Sequence, residues 1–244
     1  MTTLTETAGN VAKVKVAVVT GGTRGIGEAV AREFIARGFS VVITGRRADE
    51  AEQVARDLAK EGVTVCGYPL DINNEESVVQ FAAWLKNSFG TVDVLVNNAG
   101  AHFDFTNDVH VPDLAAAELA FRTNVIGTWR TTAALLPLID RSGRGRIVNV
   151  SSDMGSLSLH YPGAPGYSIS RAALNMLTVK FADALHGERI LVNAASPGHV
   201  RTAQGGPDAP LSVEEGATAV IHAALLPDDG PTGQFFRESA PAAW

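Results

Sequence analysis

The sequence predicts an α/β chain, one domain built on a doubly wound, mostly parallel sheet. Three observations lead there. Short β-branched runs recur along the 244 residues, segments with apolar residues at helical spacing lie between the early ones, and no linker divides the chain. Runs this apolar, each reached through a helix, suit a parallel sheet covered on both faces. Right-handed crossovers then wind it in two directions from its middle, and ligands collect at the carboxyl ends of the strands.

The expected strands, in order, are VKVAVVT (14–20), SVVITG (40–45), VTVCGY (63–68), VDVLVNN (92–98), GRIVNVSS (145–152) and RILVNAAS (189–196). Between the first four lie IGEAVAREFIARG, ADEAEQVARDLAKEG and EESVVQFAAWLKNSFG, with helical periodicity. Asp49 and Glu52 have the spacing of a capping pair for the second of these. Residues 1–12 are expected to form a poorly ordered tail, with the single domain over 13–244. The Gly/Pro-rich stretch QGGPDAP, with its flanks over 203–211, is expected to be a mobile loop.

Composition narrows the function classes. Apolar residues make up 45% and charged residues 19%, which fits a buried core. The net charge is −6 and no Lys/Arg run could track a phosphate backbone, so no nucleic-acid partner is expected. Cys66 is the single cysteine, and the six histidines have no ligand spacing, so neither a disulfide nor a metal site is expected. With no signal-like start and no membrane-length apolar run, the expectation is a cytoplasmic chain that avoids membranes.

The first strand runs into TGGTRGIGE (20–28). Gly22 and Gly27 have the outer spacing of a triphosphate loop, but Glu28 stands where its lysine must be, and that reading fails. Gly21, Gly25 and Gly27 instead suit a tight strand-to-helix turn that brings backbone and a helix N-terminus against a pyrophosphate, as in a Rossmann fold. A glycine trio alone also suits ordinary turn chemistry. The second strand ends TGRR, with Arg46 and Arg47 where an NAD-preferring site usually carries a carboxylate. With Arg24 from the glycine turn, these guanidinium groups suit a 2′-phosphate and favour NADP(H) over NAD. Arg47 taken alone reads equally well as a solvated surface side chain.

The stretch YSISR puts Tyr167 and Arg171 four apart, on one helix face. A free phenol keeps its proton up to a pH of about 10, so catalysis near neutrality needs a nearby positive charge. The same stretch also suits an ordinary amphipathic helix.

In order and spacing, TGGTRGIG, Asp71–Ile72, NNAG (97–100), Asn124, VSS (150–152), Tyr167 and SPG (196–198) resemble the short-chain dehydrogenase/reductases, over nearly the whole chain. FRTNVIGTWRTTAALLPLI, PGHVRT and LSVEEGATAVIHAALLPDDGPTGQFF look most like the NADPH-dependent carbonyl reductases of that family. The resemblance implies that Gly21, Arg24, Gly25, Ile26 and Gly27 hold the pyrophosphate side and Arg46 the 2′-phosphate. It sets Asp71 and Ile72 against adenine, Asn98, Ala99 and Gly100 against the adenosine ribose, and Pro197, Gly198, Val200 and Thr202 beside the nicotinamide. Ile72 and Val200 would serve equally as core, and Pro197–Gly198 as a turn.

The resemblance further implies that Ser152 hydrogen-bonds a substrate carbonyl, that Tyr167 gives or takes the proton, and that Asn124 anchors a water. Ser152 is preferred to Ser151 because side chains alternate along a strand and it lies at the carboxyl end. Where the family has lysine this sequence has Arg171, which keeps the charge and can donate to the nicotinamide ribose but cannot release a proton. The expected reaction is NADPH-dependent reduction of a ketone, aldehyde or quinone, with alcohol oxidation as its reverse. The alternative is an NADP-binding sensor or assembly protein with little catalysis, which the arginine favours.

Ala101, His102, Phe103, Met154, Leu159, His160 and Tyr161, with the loop from Gln204 to Pro210, are expected around a mixed apolar and aromatic substrate pocket. The animal carbonyl reductases carry an inserted helical segment between serine and tyrosine and are monomers. Only DMGSLSLHYPGAPG separates Ser152 from Tyr167, so a homodimer or homotetramer is expected here.

Overall fold

A computed structural model describes residues 14–100, 104, 108–159 and 161–244. The tail expected over 1–12 lies outside them, as do Ala101, His102, Phe103 and His160 of the expected pocket.

Each predicted strand forms. They are β1 (Val16–Val19), β2 (Ser40–Gly45), β3 (Val65–Pro69), β4 (Val94–Asn97), β5 (Gly145–Val150) and β6 (Ile190–Ser196). The helices are α1 (Gly25–Ala36), α2 (Ala48–Asp57), α3 (Glu75–Phe89), α4 (Leu114–Phe121), α5 (Thr128–Leu135), α6 (Pro165–Ala184) and α7 (Val213–Ala224). Two further strands, β7 (Phe235–Arg237) and β8 (Ala240–Ala242), give the sheet order β3-β2-β1-β4-β5-β6-β7-β8. All neighbours are parallel except β7 and β8. The order reverses direction between β1 and β4, which opens the crevice where such sheets bind ligands.

Strand alternation fills both faces, as the apolar runs require. Val19, Ile43, Val96 and Val148 join Val30 and Phe34 of α1 and Val220 of α7 on one face. Val18, Val42, Leu95 and Ile147 join Phe81 and Leu85 of α3 and Leu135 of α5 on the other. Register aligns them, with Val18 beside Val42 and Leu95, and Leu95 beside Ile147. Cys66 packs at the margin of the second cluster, and burial pushes its thiol upward in pKa.

One local expectation is corrected. Asp49 and Glu52 do not cap α2: the helix starts at Ala48, its N-cap is Arg47 without a side-chain bond, and Asp49 lies in the first turn. Arg47 donates to that carboxylate from one residue outside the helix and so takes it out of reach of a capping role. The 203–211 loop is tied at both ends, since Val200 bridges to Leu211 and Arg201 Nη1 donates to the carbonyls of Ala209 (3.0 Å) and Pro210 (2.7 Å).

Candidate active site

The glycine turn opens the site. Gly21 has φ +61° and follows β1 directly, a conformation that only glycine holds cheaply. A side chain at Gly27 would collide with Asn98 Nδ2 and the Gly21 carbonyl, so α1 can approach the turn closely. Arg24, the N-cap of α1, makes no side-chain cap, which leaves the helix N-terminus open to an anion. The turn is fixed by its neighbour: Asn98 Nδ2 donates to the carbonyls of Thr20 (3.0 Å) and Gly21 (2.8 Å). Thr20 Oγ1 in return accepts from the amides of Asn98 and Ala99.

Arg46 and Arg47 sit exposed at the end of β2. Arg47 is drawn onto Asp49 and Glu50, whereas Arg24 and Arg46 make no ion pair among the described residues. Asp71 Oδ1 accepts from the Asn73 amide, and Ile72 is buried with its side chain against Gly127. Beyond β6, Gly198 has φ +75° and Val200 is buried. The Thr202 methyl would lie 3.3 Å from a Cβ at Gly25, so the Pro197–Thr202 loop meets the glycine turn.

The polar centre lies past the ends of β4 and β5. Ser151 is buried and its Oγ donates to Asn175 Oδ1 at 2.5 Å, which commits it to packing against α6. Ser152 is half-buried and caps a short 3₁₀ turn, accepting from the Met154 amide at 3.2 Å. Tyr167 is in the first turn of α6 and 4% exposed. Arg171 is 6% exposed, its Cζ 5.0 Å from the Tyr167 ring centroid, and its Nη1 donates to the Val150 carbonyl at 2.9 Å. Its Nη2 would stand 2.6 Å from a Cβ at Gly100, beside Asn124 Oδ1, and its buried Nε has no hydrogen-bond partner among the described residues. Asn124 is fully buried in a π-helical turn (Arg122–Gly127) joining α4 to α5, and its Nδ2 donates to Ser170 Oγ of α6 at 2.9 Å. Such turns recur at functional sites because they displace one residue from the regular helical face.

The structure therefore gathers Gly100, Asn124, Val150, Tyr167 and Arg171 into one cluster, with Ser152 two residues beyond Val150. The sequence reading missed the frame beneath it. Asn97 Nδ2 donates to Thr132 Oγ1 of α5 and to Asn149 Oδ1, and Asn149 Nδ2 donates to Thr178 Oγ1 of α6. A buried asparagine costs free energy unless bonded, so Asn97 and Asn149 inside apolar strands were the available signal. Also missed were Asp153, whose carboxylate meets Arg237 of β7 at 3.2 Å, and Asp104, bonded to the start of α6. Among the described residues no group of acidic, histidine or cysteine side chains could hold a metal, and no helix is long and apolar enough to cross a membrane.

The short chain dehydrogenase family pattern matches residues 15–209. The chain belongs to that family. Carbonyl reductase (NADPH) 1 of Homo sapiens is 33% identical over 278 aligned positions, covering 95% of this chain and 99% of the relative. Its counterpart in Sus scrofa is 32% identical over 94% of each chain. Among solved structures, an alcohol dehydrogenase from the archaeon Thermococcus sibiricus, complexed with 5-hydroxy-NADP, superposes with a TM-score of 0.81 at 31% identity, covering 92% of this chain and 95% of that one. As a member of this family the chain is an oxidoreductase acting on CH–OH and C=O groups.

Proposed function

We propose that the protein is an NADPH-dependent carbonyl reductase that reduces a ketone, aldehyde or quinone. The observation that carries this is the buried Arg171 guanidinium, its Cζ 5.0 Å from the Tyr167 ring centroid, with an Nε that has no partner among the described residues. The similarity to carbonyl reductases and to an NADP-complexed dehydrogenase supports the cofactor.

The residues present fit that cofactor. An uncapped α1 N-terminus and a glycine turn too close-packed for side chains suit the pyrophosphate, with Gly21, Arg24, Gly25, Ile26 and Gly27 holding it. Arg46, with Arg24, suits the 2′-phosphate, because neither is neutralised by an acid among the described residues. Arg47 would join them only on leaving its ion pairs with Asp49 and Glu50. Asp71, Ile72, Asn98, Ala99 and Gly100 would line the adenosine half, and Pro197, Gly198, Val200 and Thr202 the nicotinamide half. The Arg171 Nε–H would donate to the nicotinamide ribose.

When bound, the reduced nicotinamide supplies a hydride. Ser152 holds the substrate oxygen by hydrogen bonding, and Tyr167 gives it a proton as negative charge develops. Arg171 keeps a fixed positive charge against the phenol, which stabilises the tyrosine after the proton has left. Because a guanidinium holds its protons, reprotonation runs through water anchored near Asn124 and not through residue 171. We place the chain in the cytoplasm as a homodimer or homotetramer.

The test is a panel of ketones, aldehydes and quinones assayed by loss of NADPH absorbance, in parallel with NADH. Turnover with at least one carbonyl class and preference for NADPH are expected. Tight NADPH binding with no turnover of any carbonyl would overturn the reductase reading in favour of a sensor, and preference for NADH would overturn the role of Arg24 and Arg46.

A further inference from the structure

Helix α6 has no cap from its own sequence. Its N-cap is Ala164, at φ 46°, which has no side-chain acceptor, and Pro165 in the first turn has no N–H. The next two amides are both taken by one carboxylate from far upstream. Asp104 Oδ2 accepts from Gly166 N at 2.8 Å, across 62 residues, and Oδ1 accepts from Tyr167 N at 3.1 Å. Asp104 is 6% exposed and makes no ion pair among the described residues, so the helix N-terminus is its electrostatic partner. The approach is close: a Cβ at Gly166 would stand 3.0 Å from Asp104 Oδ2 and 2.7 Å from the Ala117 Cβ of α4.

We propose that Asp104 is a positioning residue for Tyr167. One of its two bonds is to the amide of the tyrosine itself, so it fixes the backbone from which the phenol projects. It also fixes that backbone to the connection between β4 and α4, which follows directly from Gly100 beside Arg171. The carboxylate thus ties the strand-end turn that faces the cofactor to the helix that carries the proton. Bidentate acceptance from consecutive amides sets orientation as well as distance, and a side chain further along α6 could not do the same. The inference rests on Tyr167 acting as the proton donor. Proton transfer is sensitive to geometry, and a misplacement of about 1 Å costs on the order of 100-fold in rate.

The experiment compares the parent with Asp104→Ala, Asp104→Asn and Tyr167→Phe, using NADPH and menadione well below each melting temperature. Amide hydrogen exchange at Gly166 and Tyr167 is followed in the same proteins. Asp104→Ala is expected to lower kcat by about 10- to 100-fold, leave the KM for NADPH within about twofold, and speed exchange at both amides. Asp104→Asn, which keeps one acceptor, is expected to recover part of the lost kcat; should Asp104→Ala fail to fold, a fall in kcat of about 3- to 10-fold in Asp104→Asn at unchanged KM carries the same result. Parental kcat in the aspartate variants, with Tyr167→Phe inactive, would reduce Asp104 to a helix cap and overturn the proposal. Full turnover by Tyr167→Phe would instead remove the tyrosine mechanism on which it rests.

Discussion

The Arg171 side chain fits its buried position because the residues around it leave it room. Its guanidinium is bulkier than an ammonium and directs its donors in a fixed plane. Here one donor is anchored on the Val150 carbonyl while Cζ lies 5.0 Å from the Tyr167 ring centroid, and Gly100 supplies space beside Nη2. Gly100→Ala would put a methyl 2.6 Å from Nη2, so the guanidinium would have to shift from its place beside Tyr167. Steady-state assays of that variant should show kcat reduced by about 10- to 100-fold with the fold intact by circular dichroism; parental kcat would mean that the guanidinium position does not matter. At this scale the sequence was legible where chemistry is local. Strand alternation separates Ser152 from Ser151, and the structure commits Ser151 to Asn175. Asp104 was not legible, because its partners lie more than 60 residues away and no local pattern announces a cap delivered from another loop.

Elements were legible in proportion to their length and apolar content. β2 matches its predicted bounds because SVVITG is apolar or β-branched from Val41 to Thr44, and a run like that has no competing period. β7 and β8 are three residues each, and Pro241 within β8 speaks against a strand except at an edge, which is where it lies. The π-helical turn at Asn124 was hidden for another reason: its sequence is compatible with ordinary helix on both sides, and the extra residue is revealed only by packing. The turn leading into β5 carries a pH-dependent contribution to stability. Burial pushes the Asp140 carboxyl upward in pKa, but bonds from Ser142 and the Arg144 guanidinium outweigh it and hold the group at about 2. That value lies below the unfolded one of about 3.9, so the contribution is complete above that pH and is lost as pH falls through the folded value. Melting temperatures of the parent and Asp140→Asn should differ at pH 6 and converge toward pH 2; a constant difference would contradict this.

At the scale of the molecule, the helices that carry the candidate site also present large apolar residues to solvent. Phe121, Ile126 and Trp129 (40%, 37% and 51% exposed) lie along α4, the π turn and α5, with Ile169 and Met176 (62% and 57%) on α6, which packs beside α4. The proposed homodimer or homotetramer would cover these side chains and brace Asn124 and Tyr167 from outside. Light scattering at micromolar concentration should give two or four times 25.6 kDa, falling to one for Trp129→Glu with Met176→Glu; a monomeric parent would contradict the expected assembly. The claim on which the rest depends is narrower, that the Arg171 charge serves the Tyr167 phenol. It is tested most directly by NADPH-dependent turnover of a carbonyl substrate by the parent, Arg171→Lys, Arg171→Met and Tyr167→Phe. The account predicts activity retained or raised with lysine, reduced by at least about 100-fold with methionine and nearly abolished with phenylalanine. Unchanged turnover in Arg171→Met or Tyr167→Phe would contradict it.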